Sequence, residues 1–457
     1  MHLTRRQTGP GARAGATMRT VRLVGLTLLV ITGTLAFREA SATSGAATPA
    51  ARALDPSLRP ARTTAQLITR LQRQIRETPT DVDGYAVLGE AYLQRVRETG
   101  DPVYYRKAEA VLAAALKRDP RHVETLIGAG ALALARHDFR AALAIGERAH
   151  ALNPTIPRIY GIIGDAQVEL GLYAAAARTV QTMVDMRPDL SSYSRASYLR
   201  ELYGRVPGAI AAMRLAVEAG APNAENTQWV RVQLGNLYVN QGDLGAAEQQ
   251  YRDALAQLPG YVHALAGLAQ VRAAQGRYRA AIDLYTQAIQ RMPLPQYVIA
   301  LGDVYARTGD RQQAEQQYRL VRVIDQLLTA NGVNTDLETA LFFADHGIDL
   351  PASLHKARAA YAARRSIQTA DGLAWTLYKT GRYREARRYA TEALALGTHD
   401  ALKLFHAGMV ARALGQTGLA ETYLRRALGL NPHFSLLYGD VAAATLRELD
   451  TSSGRKP

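Results

Sequence analysis

Asp345-His346, with His355 further on, comes closest in this sequence to a metal-binding or proton-transfer site. An imidazole beside a carboxylate can ligate zinc or accept a proton. These residues lie across a stretch expected to be an irregular loop, and no H-E-x-x-H or other close histidine pair supplies ligand spacing. Phosphate loops of the G-x-x-x-x-G-K-S/T type and the G-x-S-x-G nucleophile turn are both absent. With no cysteine, thiol nucleophiles, disulfides, thiolate zinc sites and a lipobox anchor are excluded together. The expectation is no catalytic residue, no metal and no cofactor, and therefore not an enzyme.

The elements that carry these side chains are more regular than the side chains themselves. Hydrophobic residues make up 48% of the 457, aromatics only 7%, and tyrosine dominates the aromatics. Abundant Ala and Leu with few β-branched clusters lean towards an all-α chain. A column of turn residues runs His137, Gly171, Gly204, Gly242, Gly276, Gly309, Gly347, Gly381 and Gly415, spaced by 33 to 38 residues. Other columns keep register with it. Small residues follow the turn at Ala142, Ala176, Ala209 and Ala247, and glycines precede it at Gly130, Gly164, Gly235, Gly302 and Gly408. Tyrosines recur at Tyr251, Tyr285 and Tyr318, and prolines close units at Pro120, Pro154, Pro188, Pro259, Pro293 and Pro432.

Each column has a mechanical reason. Glycine at the turn takes the left-handed conformation that ends a first helix. Small residues such as Gly235 and Ala247 let two helices cross closely, tyrosine fills the gap between hairpins, and proline stops the second helix. The unit from Leu234 to Pro259, LGNLYVNQGDLGAAEQQYRDALAQLP, resembles the tetratricopeptide repeat consensus, and the resemblance covers about Asp83 to Pro432. It implies an all-α, right-handed superhelical solenoid of about ten helix-turn-helix repeats. The organisation expected is a signal peptide or membrane anchor over 1–42, a flexible linker over 43–62, the solenoid with helical caps over 63–449, and a disordered tail over 450–457. Departures at Thr99–Pro102, Ser197, Val321–Asn334 and Asp349-Leu350-Pro351 are expected to be loops or irregular hairpins.

The resemblance also implies a concave groove lined by the first helices, with a protein or peptide as the partner. Its inward positions fall on Trp229, Asn236 and Asn240, on Asp303 and Arg307, on Trp375 and Tyr378, and on Phe405 and Arg412. Asn236 and Asn240 are suited to hydrogen-bond an extended backbone, and Trp375 and Phe405 to act as apolar anchors. The groove lacks the Lys/Asn pattern by which some members of that family clamp a terminal carboxylate.

Residues Leu23–Phe37 form an uncharged apolar run preceded by Arg19 and Arg22 and followed by Ala40-Ser41-Ala42. That order fits a cleaved signal or an uncleaved anchor, with either Met1 or Met18 as the start, so an exported chain with possible membrane association is expected. The net charge is +15, yet Lys and Arg are interleaved with Asp and Glu, so nucleic acid is an unlikely partner. An anionic polymer or membrane surface bound through a basic face is the alternative to a protein partner.

Overall fold

The computed structural model describes residues 63–452, all of them in helices and short connections. The expected signal or anchor and the linker lie outside the described residues. So do 453–457 of the expected tail, whereas 450–452 end the last helix. Among the described residues there are 22 helices and no strand.

Helix α1 (Thr64–Glu77) leads. Antiparallel hairpins follow: α2–α3 (Val82–Thr99, Val103–Arg118), α4–α5 (Val123–Ala135, Phe139–Leu152) and α6–α7 (Pro157–Glu169, Tyr173–Met186). Next come α8–α9 (Leu190–Leu202, Val206–Glu218), α10–α11 (Glu225–Asn240, Leu244–Gln257) and α12–α13 (Val262–Ala274, Tyr278–Arg291). The series continues with α14–α15 (Pro295–Arg307, Arg311–Ala330) and α16–α17 (Asp336–His346, Leu350–Ala363). It ends with α18–α19 (Ile367–Lys379, Tyr383–Ala393), α20–α21 (Ala401–Ala413, Thr417–Leu430) and a last helix, α22 (Gly439–Ser452).

The turn inside a hairpin is built from two adjacent choices. A left-handed residue ends the first helix, and several second helices start on an aspartate. The carboxylates of Asp138, Asp243 and Asp310 accept the backbone N–H of Ala141, Ala246 and Gln313, satisfying donors that the helix cannot reach itself. Close crossing is visible at Tyr251, whose ring is wedged between Gly235 of its own hairpin and Gly267 of the next. A Cβ on either glycine would stand 2.5 Å from the ring. Where the close-packing glycine is replaced by Ser197, the hydroxyl is buried and donates to the Ala209 carbonyl at 2.7 Å, so the hairpin stays closed rather than opening into a loop.

The solenoid winds far enough to stack on itself. Early turns abut the loops between later hairpins, through hydrogen bonds separated by 192 to 197 residues. His137 Nδ1 donates to the Asn334 carbonyl at 2.7 Å, and the Asn334 N–H donates back to the Arg136 carbonyl at 3.0 Å. Tyr173 accepts from the Ile367 N–H, and Asn431 Nδ2 donates to the Val239 carbonyl, each at 2.8 Å. The backbone runs so close at Gly171 that a Cβ there would lie 2.0 Å from the Arg365 carbonyl oxygen.

This stacking explains one departure from expectation. Most of Val321–Asn334 is not a loop: α15 extends to Ala330, beyond the point where other second helices stop. Its buried Val321, Ile324 and Leu328 share one face and complete a core with Leu71, Leu88, Tyr92 and Leu112 of the first winding. Arg106 seals the helix end by donating to the Ala330 carbonyl at 2.8 Å. The irregular start of α17 is real, with Asp349 at φ 38 capping Ala352 N–H.

Candidate functional site: an inner chamber closed by the C-terminal segment

Four first helices, α8, α10, α12 and α14, turn their inner faces to a cavity of about 650 Å³. Its walls repeat. Trp229, Val232, Asn236, Val239 and Asn240 of α10 are followed one unit later by His263, Ala266, Gln270, Ala273 and Ala274 of α12. Gln296, Asp303 and Arg307 of α14 continue the series, and Tyr198 and Glu201 of α8 begin it. The open side is crossed by the non-helical segment 431–438 and the start of α22, which contribute His433, Phe434, Leu436 and Asp440.

The chamber is polar but its polar groups are largely engaged with one another. Asn240 Nδ2 donates to Glu201 Oε1 at 3.0 Å; burial raises the pKa of that carboxyl, and the Asn240 bond partly opposes it. Tyr251 donates its hydroxyl to Asn236 Oδ1 at 2.7 Å, while Asn236 Nδ2 donates to Gln233 Oε1 at 3.2 Å. His263 shares a hydrogen bond with the Tyr297 hydroxyl at 2.6 Å, and burial holds its imidazole at about 4, so it is neutral at pH 7. Arg307 donates to the Tyr278 hydroxyl and pairs with Asp440 across the mouth. An amide-lined, aromatic, acid-containing chamber of this kind can hydrogen-bond a peptide backbone through Asn and Gln, which donate and accept together.

Of the sequence-derived residues, Trp229, Asn236, Asn240, Asp303 and Arg307 therefore line one cavity. Trp375, Tyr378 and Phe405 form a separate aromatic cluster deeper in the winding. Trp375 is 2% exposed and Phe405 1% exposed: His406 stacks on the indole at 4.1 Å, and Tyr438 meets the indole in a T-shaped contact at 5.2 Å and stacks on Phe405 at 5.0 Å. Tyr378 stacks on the other face of this cluster, 4.9 Å from the indole. The indole Nε1 donates to Asp345 Oδ1 at 2.7 Å, and the Tyr438 hydroxyl donates to the same oxygen at 2.9 Å. Arg412 sits apart at the exposed end of α20 and donates to Glu448 at 2.6 Å.

Asp345-His346, the starting point for possible chemistry, is structural glue between the two regions. His346 Nε2 donates to Asp303 Oδ1 at 2.8 Å and Nδ1 donates to the Phe342 carbonyl at 2.8 Å. Burial alone would lower its pKa; the bonds to Asp303 and the Phe342 carbonyl raise it above the usual imidazole value. No group of three His, Asp or Glu with metal-holding geometry occurs among the described residues.

Sequence reasoning passed over His263, Gln270 and Tyr297. The first two occupy the columns of Trp229 and Asn236 one unit on, so the same periodicity applied to the next repeat finds them. The closing segment has no such signal, because it falls after the last unit and meets partners in several different repeats, as in Tyr438 with Asp345, 93 residues apart, and Arg307 with Asp440, 133 apart.

A tetratricopeptide repeat family model matches residues 163–224, 232–295, 269–325 and 372–433. Among solved structures, the APC/C hetero-tetramer Cut9-Hcn1 is similar over 85% of this chain and 67% of its own, at 17% identity and a TM-score of 0.38. The human IFIT1 dimer with PPP-AAAA is similar over 82% and 94%, at 13% identity and a TM-score of 0.43. A thermophilic tetratricopeptide repeat protein of Thermus thermophilus is similar over 44% and 98%, at 21% identity and a TM-score of 0.36. No curated protein matches the chain. The repeat register, the helical hairpins and the family match coincide on an architecture that typically serves as a protein-interaction scaffold, and the chain belongs to the tetratricopeptide repeat family.

Proposed function

We propose that this protein is a non-catalytic adaptor that holds an extended segment of a partner protein against the inner faces of α10, α12 and α14. The observation that carries the reading is the repeated amide column in the chamber wall, Asn236 and Asn240 followed by Gln270, flanked by Trp229 and Tyr297. Amides spaced along successive first helices match the alternating donors and acceptors of an extended backbone, and the aromatics give side chains a place to stack. His263 is neutral at pH 7 and the Arg307 guanidinium in the lining is already paired with Asp440 at the mouth, so the interior favours an uncharged backbone over an anion.

Export is part of the same proposal: the apolar run Leu23–Phe37 with its basic flank and Ala40-Ser41-Ala42 would carry the solenoid across a membrane or leave it tethered there. No helix among the described residues is long and apolar enough to cross a membrane. The test places a photo-crosslinking amino acid at Asn240 and, as a control, at exposed Arg384 in the full-length chain in its own type of cell. A saturable protein adduct at Asn240 alone, lost with Trp229→Ala, supports the adaptor. Adducts of equal yield at both positions would sink it. Mass measurement of the mature N-terminus, with protease accessibility from outside the cell, separates cleaved, tethered and unexported chains.

A second reading follows from the outer face, where Arg382, Arg384, Arg387 and Arg388 are all exposed on and beside α19. This face would bind an anionic polymer or a membrane surface. Binding that falls steeply as salt rises from low to physiological concentration favours that reading over the chamber.

A further inference from the structure

The groove already contains a ligand-like piece of its own chain. Between α21 and α22 the chain leaves the repeat register and crosses the inside of the winding as Phe434-Ser435-Leu436-Leu437-Tyr438-Gly439-Asp440. It makes three kinds of contact with the walls. Phe434 and Tyr438 pack on Phe405 at 5.6 and 5.0 Å, and Tyr438 also covers Trp375. The Tyr438 hydroxyl donates to Asp345. Asp440 pairs with Arg307.

The way this segment is held differs from the way the hairpins are held. Its backbone bonds are internal: the N–H groups of Phe434, Gly439 and Ala442 donate to the carbonyls of Asn431, Ser435 and Tyr438, and Ser435 Oγ accepts from Leu437 and Tyr438. The walls are met by side chains, and the residues from Phe434 to Tyr438 are only half-buried. The surface beneath is the reverse. Phe405 is almost wholly buried with Phe434 and Tyr438 packed on it, and Trp375, stacked by His406 and Tyr378, meets the segment through Tyr438, while the Arg307–Asp440 pair at its end is solvent-exposed and correspondingly weak. A preformed aromatic surface with an aligned acceptor at Asp345 and a cation at Arg307 is thus capped by a segment of weak attachment.

We propose that segment 434–440 is a built-in competitor, and that the surface it covers, formed by Trp375, Phe405, Asp345 and Arg307, is a docking site for an external turn-forming segment of the same chemistry. That chemistry is an aromatic residue, then a hydroxyl-bearing aromatic four positions on, then a carboxylate two positions further, as in Phe434, Tyr438 and Asp440. The inference rests on the adaptor reading and adds to it a second subsite and an order of events: the incoming segment displaces the internal one, and the inner chamber loses its closing wall. The apparent affinity of the native chain is reduced by the fraction of molecules whose internal segment is released.

A fluorescein-labelled peptide with the sequence of residues 431–442 is titrated against the full-length native chain and the variant Phe434→Ser with Tyr438→Ser, read by fluorescence anisotropy. The variant is expected to bind it on the order of tenfold more tightly, because the competent fraction rises. Adding Arg307→Glu to the variant, or replacing the tyrosine of the peptide by serine, is expected to remove the gain. Asp440→Arg, which alters only the exposed pair, provides an independent arm: it is expected to raise peptide affinity by about threefold. A folded double variant that binds the peptide no better than the native chain overturns the proposal. So does an unfolded double variant combined with unchanged affinity in Asp440→Arg. A negative peptide result beside a specific partner adduct at Asn240 removes this subsite alone and leaves the adaptor reading standing.

Discussion

Arg364 reaches from one winding of the solenoid to Glu169 in the winding before it, its Nη1 donating to Oε2 at 2.5 Å, with the two side chains 7% and 9% exposed. Both charges have been taken out of water, and each is tolerable because the other is there. Glu338 lies 3.8 Å from the same guanidinium and Phe139 lies beneath it at 4.9 Å. Glu169→Gln is therefore expected to destabilise by the lower end of about 3–5 kcal/mol, since Glu338 remains as a partial partner. Replacing both residues by apolar ones, Glu169→Leu with Arg364→Met, is expected to recover most of the loss. Urea midpoints of the two variants check this, and equal losses in both would show that the pair is not coupled.

The seam between windings makes a second prediction at Gly171, whose φ is 77 and whose missing side chain leaves room for the Arg365 carbonyl. Gly381 has a φ of 76 but nothing within 4 Å. Gly381→Ala should cost only the left-handed penalty of about 1–2 kcal/mol. Gly171→Ala carries the same penalty and must also push the seam apart, adding about 1–3 kcal/mol. Thermal unfolding of the two variants reads the difference. Equal losses would mean that the windings part without cost.

Acid should loosen the molecule through its buried imidazoles. Burial holds His137 and His263 at about 4, with the Arg364 charge helping at His137. The unfolded chain titrates near 6.5, so the stability these groups contribute is fully present above that value. It is lost as pH falls from about 6.5 to about 4, where the unfolded state binds protons that the folded state refuses. Each site accounts for about 3 kcal/mol over that range. His137→Asn, which tolerates the positive φ of 62, is expected to flatten the decline by roughly half. Melting temperatures between pH 7 and pH 4 decide it, and a decline as steep in the variant as in the native chain would exclude His137 as a source.

The same residues show where sequence is informative. The turn column and the Gly235–Tyr251 contact are legible because each is fixed within one repeat and the period of the sequence displays both, whereas Gly267, on the other side of the ring, lies outside the glycine column. Val321, Ile324 and Leu328 fall in a stretch that the sequence alone marks as a loop or irregular hairpin, because the groups they pack against, Leu71 and Leu88, belong to a different winding. Trp375 and Phe405 stand in the expected inward columns, but the position of a column says nothing about Tyr438 crossing above it. Local periodicity is written residue by residue, whereas the stacking of windings arises from the summed rotation of every hairpin.

Tyr251 ties the repeat packing to the chamber, and its two roles can be separated. The ring fills the gap between Gly235 and Gly267, so Tyr251→Ala should leave a cavity and cost about 3–5 kcal/mol. Tyr251→Phe keeps the ring and removes only the hydroxyl that donates to Asn236 Oδ1 at 2.7 Å, a loss of about 1 kcal/mol. That hydroxyl also fixes the Asn236 side chain. Without it the amide is held only by its 3.2 Å bond to Gln233 Oε1, and the wall presents a less fixed pattern of donors and acceptors. Tyr251→Phe is therefore expected to melt close to the native chain yet give a markedly lower yield of partner adduct at Asn240. Should it bind as the native chain does, the orientation of Asn236 is irrelevant to recognition, and the amide column would be a packing feature rather than a reading surface.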